Sequence, residues 1–198
     1  MKPWLFYVCK YLLLLFAHGL YYRTKVIDPL GQRKLLKTKH YLIASNHLSN
    51  FDPPLIGSIF PGKMRFFAKQ ELFANKRFGQ FITWVGAVPV DRQQVHKSQI
   101  ENVIKLIKDD KQSMLMFPAG TRKGTQPKPG ISKFAYHGQV DVLPVYIRYP
   151  KHFWGRLRIT VGRVISTNDF LKAEPDNKQA QDFAQFVWNK ITGLQLVE

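Results

Sequence analysis

Residues 46–54 read NHLSNFDPP: an imidazole at His47, a carboxylate five positions later at Asp52, then two prolines. A neutral imidazole accepts a proton on one nitrogen when its other N–H is held in place, and a carboxylate does that holding in catalytic triads. His47 and Asp52 therefore read as a general base and the acid that orients it. The same letters also spell a helix start, with Asp52 as N-cap and Pro53 at the first helical position; a turn histidine beside such a cap needs no chemistry. Ser45 and Ser49 are the nearest hydroxyls, and neither has the elbow context of a nucleophile. A His–Asp pair without a protein nucleophile suits a base acting on the hydroxyl of a substrate.

Three further segments carry groups suited to an anionic substrate. Residues 86–92, GAVPVDR, end an apolar run on Asp91 and Arg92. Residues 117–123, FPAGTRK, leave another apolar run through Gly120, Thr121 and Arg122, offering backbone N–H groups and a guanidinium of the kind that holds a phosphate monoester. Residues 143–147, LPVYI, form an apolar strand containing Pro144. Each also has a plain structural reading: a strand-end ion pair, a basic surface loop, an edge strand.

These groups need a frame, and the hydrophobic pattern supplies one. Apolar runs at 41–45, 64–69, 87–90, 113–118, 142–147 and 157–164 read as strands. Between them, 53–60, 73–84, 95–108 and 131–137 read as helices; Ile100, Val103, Ile104 and Ile107 recur at helical spacing. A last helix presents Ala180, Phe183, Ala184, Val187, Trp188 and Ile191 on one face. Strands alternating with helices predict an α/β fold, a single-domain mixed sheet flanked by helices, with the turns after its strands as the place for ligands. No repeat or linker divides the chain, so residues 23–198 read as one domain and residues 1–22 as an appended helix.

Charge bounds the partners. Thirty Lys and Arg against thirteen Asp and Glu give a net charge of +17, an excess that matches nucleic acid, anionic lipid or an acidic ligand or carrier. The strands are apolar rather than basic and aromatic, and no nucleic-acid-binding signature is present, so no nucleic acid is expected. The single cysteine, Cys9, cannot form an internal disulfide, and Cys/His zinc spacing is absent, so no metal is expected. Residues 4–22, WLFYVCKYLLLLFAHGLYY, are apolar apart from Lys10 and His18, which is marginal for a spanning helix of about 20 residues. Its Trp and Tyr residues favour the headgroup boundary, so it reads as a helix lying in one leaflet, with a core helix as the alternative. No cleavage site follows it, which disfavours a signal peptide. Residues 148–158, RYPKHFWGRLR, read either as a second interfacial contact or as a plain surface hairpin.

Taken together and in order, these segments resemble the glycerolipid acyltransferases of the 1-acyl-glycerol-3-phosphate acyltransferase (lysophosphatidic acid acyltransferase, PlsC-like) type. Asn46, His47 and Asp52 match the family's NHxxxxD motif, residues 86–92 its second motif, and Phe117, Pro118, Gly120, Thr121 and Arg122 its FPEGTR motif. Pro144 matches a fourth motif, and the resemblance covers residues 41–147. It implies a membrane-associated enzyme on the cytoplasmic face, moving an acyl group from acyl-CoA or acyl-carrier protein to the hydroxyl of a lysophospholipid, with no resident cofactor. It implies His47 and Asp52 as catalytic residues, and Asn46, Arg92, Gly120, Thr121 and Arg122 as substrate-binding residues, the two arginines on the acceptor phosphate. The chain departs from the family at Ala119, where glutamate is usual. Alanine offers neither charge nor hydrogen-bond acceptor, which leaves open a different acceptor, a substituting neighbour or reduced turnover.

Overall fold

Apolar runs alternating with amphipathic stretches build a layered sheet. The computed structural model, which describes residues 24–60, 64–91, 97–122, 124–152 and 155–197, has that architecture. One seven-stranded sheet contains β1 (Lys25–Ile27), β2 (Leu42–Ser45), β3 (Met64–Lys69), β4 (Ala87–Val90), β5 (Ser113–Met116), β6 (Val142–Arg148) and β7 (Arg158–Val161). Its order is β1-β7-β6-β2-β5-β3-β4. The five strands from β6 to β4 run parallel, β7 lies antiparallel to β6, and β1 pairs parallel with β7. The helices are α1 (Asp52–Ile59), α2 (Lys76–Val85), α3 (Lys97–Lys108), α4 (Gly130–Gly138), the short α5 (Thr167–Phe170) and α6 (Asn177–Gly193).

Alternate strand residues feed two separate cores. Leu42, Ala44, Met114, Met116 and Val142 pack with Val103 and Ile107 of α3, Ile131 and Ala135 of α4, and Phe183, Val187 and Ile191 of α6. Ile43, Leu115, Leu143, Val145 and Ile147 face the other way, against Leu55 and Ile56 of α1 and the partly buried Ile82 and Val85 of α2. A sheet covered on both faces has no polar side, which is why its central strands read as unbroken apolar runs. The long helix α6 is started by a capping box: the Asp176 carboxylate accepts from Gln179 N at 2.8 Å, and the Gln179 side chain answers to the cap N–H.

Local chemistry fixes the rest. Gly86 ends α2 at φ 115°, and a Cβ there would stand 2.2 Å from the Met64 carbonyl oxygen, so a glycine alone lets α2 turn into β4 this close to β3. Pro144 sits inside the central strand β6, where a missing N–H normally breaks a ladder. Its carbonyl accepts from Gly162 N at 2.9 Å, just past the end of β7, so the side of Pro144 that lacks a donor faces a neighbour that has already left the sheet.

Several boundaries differ from the sequence expectation. The run at 157–164 is strand only over Arg158–Val161, and β5 stops at Met116, so Phe117 and Pro118 already belong to the turn. β1 and the 3-10 turn Gln32–Lys37 lie in a cationic stretch, where Lys25, Arg33, Lys34, Lys37 and Lys39 surround one acid, Asp28, and are too short to show a period. There Asp28 accepts from Gln32 N at 2.8 Å and Arg33 N at 3.0 Å, and Arg33 donates to the Ile59 carbonyl at the end of α1, 3.1 Å away. Part of the cationic stretch is thus used inside the fold. The expected membrane helix at 1–22 lies outside the described residues, and no described helix is long and apolar enough to cross a membrane.

Candidate active site

The turn after β2 is built around an asparagine that behaves like a strand residue. Asn46 Nδ2 donates to the Ile147 carbonyl at 2.9 Å, and its Oδ1 accepts from Ile147 N at 2.7 Å. One side-chain amide therefore supplies the donor and the acceptor that the next residue of β2 would have offered β6, and the backbone is free to leave the sheet. Asn46 is buried and both amide atoms are occupied, so the structure places it as a clasp between β2 and β6.

Beyond the clasp, His47, Leu48 and Ser49 wrap around the buried carboxylate of Asp52. Oδ2 accepts from His47 Nδ1 at 2.8 Å, Leu48 N at 2.6 Å and Ser49 N at 2.8 Å. Oδ1 accepts from the Tyr149 hydroxyl at 2.7 Å. Asp52 is not the N-cap that its proline neighbour suggests: Phe51 occupies that position, and Asp52 is the first helical residue. With Pro53 and Pro54 behind it, α1 lacks N–H groups to cap in its first turn, and the carboxylate turns back to the loop instead. A buried carboxylate surrounded by donors is stabilised by charge-assisted bonds, each worth roughly 1.5–3 kcal/mol.

With Nδ1 donating to Asp52, His47 keeps the lone pair on Nε2, which has no hydrogen-bond partner among the described residues. The ring is held on its face as well. Phe117, the first residue after β5, stacks on it at a centroid distance of 4.0 Å and an interplanar angle of 15°. The His47 side chain is only 9% exposed, so most of the imidazole is enclosed. His47, Phe117 and Tyr149 follow β2, β5 and β6, which are neighbouring parallel strands, and so meet at one carboxyl end of the sheet. Three residues of the turn are exposed, Asn50 and two large apolar ones, Leu48 at 47% and Phe51 at 69%.

The remaining sequence candidates separate. Ser45 is fully buried and donates to Asn46 Oδ1 at 3.4 Å, while the Ser49 hydroxyl accepts from Phe51 N at 3.2 Å; neither is bonded to His47. Gly120 stands at φ 72° and spends its N–H on the Phe117 carbonyl at 2.9 Å, closing the turn instead of facing a ligand. Thr121 and Arg122 are exposed, with backbone N–H groups unpaired among the described residues. Arg92 lies outside the described residues, next to the half-buried Asp91. Ala119 is buried, and Gly124 is packed so tightly on it that a Cβ at 124 would lie 2.8 Å from both the Ala119 Cβ and its carbonyl oxygen. Among the described residues no cluster of three or more potential metal ligands occurs.

Two contributors to the site escaped the sequence reading. Tyr149 joins Asp52 across 97 positions of sequence, so no spacing pattern marks it, and its basic, aromatic neighbours read as a surface segment. Phe117 was visible only as a motif letter; its ring contact with His47 requires β2 and β5 to be neighbours.

Comparison with known proteins identifies the family of the chain. The sequence profile of the Acyltransferase family matches residues 27–148, a region that includes His47, Asp52 and the 117–122 loop. A 1-acyl-sn-glycerol-3-phosphate acyltransferase of Streptococcus pneumoniae is 31% identical over 140 residues, covering 68% of this chain and 53% of its own length. One from Bacillus subtilis is 31% identical over 138 residues, covering 66% of this chain and 69% of its own length. The chain thus spans from about half to about two thirds of these two relatives. In fold it is similar to the crystal structure of the 1-acyl-sn-glycerophosphate (LPA) acyltransferase, PlsC, from Thermotoga maritima, with a TM-score of 0.69, 19% identity, and coverage of 96% of this chain and 78% of that one. With the family profile spanning well over half of the sequence and enclosing the His47–Asp52 turn, the chain belongs to the acyltransferase family.

Proposed function

We propose that the protein transfers a fatty acyl group from a thioester, acyl-CoA or acyl-carrier protein, to the free hydroxyl of 1-acyl-glycerol-3-phosphate, forming phosphatidic acid. The observation that carries this reading is His47, its Nδ1 on Asp52 at 2.8 Å and its Nε2 without a partner among the described residues. Nε2 takes the proton of the acceptor hydroxyl as that oxygen attacks the thioester carbonyl. The tetrahedral intermediate collapses with cleavage of the C–S bond, and the imidazolium returns its proton to the departing thiolate. An ester and a free thiol leave, and His47 is neutral again. Asp52 holds the ring tautomer and stabilises the imidazolium while it lasts.

The other roles follow the family resemblance of the motifs. Arg92 and Arg122 bind the acceptor phosphate, and Gly120 and Thr121 shape the loop that presents Arg122. Asn46 serves the substrates indirectly, by fixing where the turn leaves β2. The thioester is already activated, so the reaction needs no resident cofactor. Leu48 and Phe51, exposed beside the base, suit acyl chains arriving from a bilayer, and the charge of +17 suits its anionic cytoplasmic face. Residues 1–22 supply a further anchor there.

The test is an assay of purified protein with both donor types against a panel of lysolipids. His47→Ala should lower the rate by at least about a hundredfold, the usual worth of a positioned base, and since it also removes a donor from the buried Asp52, worth roughly 1.5–3 kcal/mol, the rate is measured below the lowered melting temperature. An unaltered rate would reduce the pair to a structural turn.

A second reading concerns the acceptor. Ala119 is buried beneath Gly124, and the loop closes over an alanine-sized side chain, with no allowance for a carboxylate. This supports an acceptor positioned without that carboxylate, or slower turnover on glycerol phosphates. Ala119→Glu should therefore destabilise the loop, at roughly the 1–3 kcal/mol of an overpacked site, and leave the rate no higher. A rise in rate on 1-acyl-glycerol-3-phosphate would instead identify the missing carboxylate as the limiting group.

A further inference from the structure

The connection from β6 to β7 gathers like charges without an ion-pair partner among the described residues. Arg148 and Arg158 stand directly opposite each other in the antiparallel register of the two strands, an arrangement that costs stability. Beside them lies a cleft of about 380 Å³ whose lining includes both arginines, Lys151, Arg156, His152 and Tyr149. Among the described residues no carboxylate lines it and none of the four cations is ion-paired. Four unneutralised cations around one concavity form a site for a multiply charged anion.

We infer that this cleft binds the phosphate groups of a small phosphorylated ligand, beside the base and separately from the 117–122 loop. Size selects the class. The cleft has the volume of small-molecule sites, about 300–1,000 Å³, whereas a protein partner covers roughly 800 Å² of each surface. Position ties the site to the chemistry: Tyr149, part of the lining, donates its hydroxyl to Asp52 at 2.7 Å, so a ligand in the cleft lies two hydrogen bonds from His47. Resting on the acyl-transfer reading, the ligand is the nucleotide-phosphate end of a thioester donor, whose acyl carbonyl must reach Nε2. A phospholipid headgroup offers the same phosphate chemistry from another source.

The experiment measures binding of adenosine 3′,5′-bisphosphate, and separately of phosphatidylglycerol vesicles, to the full chain and to the double variant Lys151→Glu/Arg156→Glu. Both residues are exposed, so the fold should survive the change. Bisphosphate affinity should fall at least tenfold in the double variant and weaken with salt in the parent, and the donor KM should rise by a similar factor while kcat changes less than twofold. Loss of vesicle binding alone would assign the cleft to lipid headgroups, with the phosphate chemistry intact. Unchanged binding of both probes would overturn the inference, and so would a defect confined to acyl-carrier protein. His47→Ala separates the two readings: it must keep bisphosphate binding while acyl transfer disappears. If that variant still transfers acyl groups, the functional reading fails while the binding result on the cleft stands.

Discussion

At the scale of the residue, the site is organised around one carboxylate. Asp52 accepts on one oxygen from His47 and two backbone N–H groups, and on the other from Tyr149. The backbone bonds fix where the carboxylate is, so the tyrosine hydroxyl is left to set its rotation about the side-chain bond and, through it, the aim of the His47 ring. Tyr149→Phe keeps the ring packing and removes that one donor. A hydrogen bond to a charged group is worth roughly 1.5–3 kcal/mol, so the variant should lose about tenfold or more in kcat. Steady-state kinetics beside a thermal melt would check this: a lowered melting point with normal kcat would make the tyrosine a packing residue. The pairing of His47 with Asp52 was legible in the letters NHLSNFDPP because both lie in one short turn. Their partners were not, since Tyr149 and Phe117 reach them from other strands.

At the scale of the element, the decisive joint is where β2 stops and the His47–Asp52 turn begins. The Asn46 amide continues the β2–β6 ladder with a side chain, satisfying both main-chain groups of the buried Ile147. Asn46→Ala would strand that N–H and C=O, each costing about 1–3 kcal/mol when buried and unpaired. For a domain of this size the melting temperature should drop by roughly 5–15 °C. A residue that touched only substrate would instead raise KM and leave the melt alone, so differential scanning calorimetry beside a KM measurement distinguishes the two. The family resemblance implied a binding role for Asn46, and an asparagine next to a histidine at a strand end carries no mark of its partner 101 positions away. Strand and helix order, by contrast, was readable throughout the centre of the chain. Double-sided burial leaves continuous apolar runs in β2, β5 and β6, and the amphipathic period of α3 and α6 is clear. Legibility failed where elements are short or basic, at β1 and the turn Gln32–Lys37, whose order comes from Asp28 and the neighbouring β7 and not from any pattern of their own.

At the scale of the whole molecule, a polar, strongly cationic protein presents apolar side chains beside its base. Leu48 and Phe51 are exposed within five residues of His47, and α2 carries a row of ring contacts from Phe78 through Phe81 to Trp84, with Phe78 and Phe81 over 40% exposed. In water such side chains are a cost; at a bilayer surface each contributes, since burial of a large apolar group is worth roughly 1.5–3 kcal/mol. The net charge of +17 adds attraction to anionic lipid that salt screens beyond about 10 Å at 0.1 M. The proposed work at a membrane therefore separates into two measurable parts. Phe51→Ser removes one apolar contact without touching His47, Asp52 or their partners, because the Phe51 ring is directed to solvent and only its backbone serves the turn. Turnover of long-chain acceptor in anionic vesicles should then fall several-fold, while turnover of a short-chain, water-soluble lysolipid stays within about twofold of the parent. Raising salt should depress the vesicle reaction of both proteins and the soluble reaction of neither, provided donor and soluble acceptor are both saturating. Equal losses on both acceptors would place Phe51 in the chemistry of the turn and leave the exposed apolar residues without a membrane role.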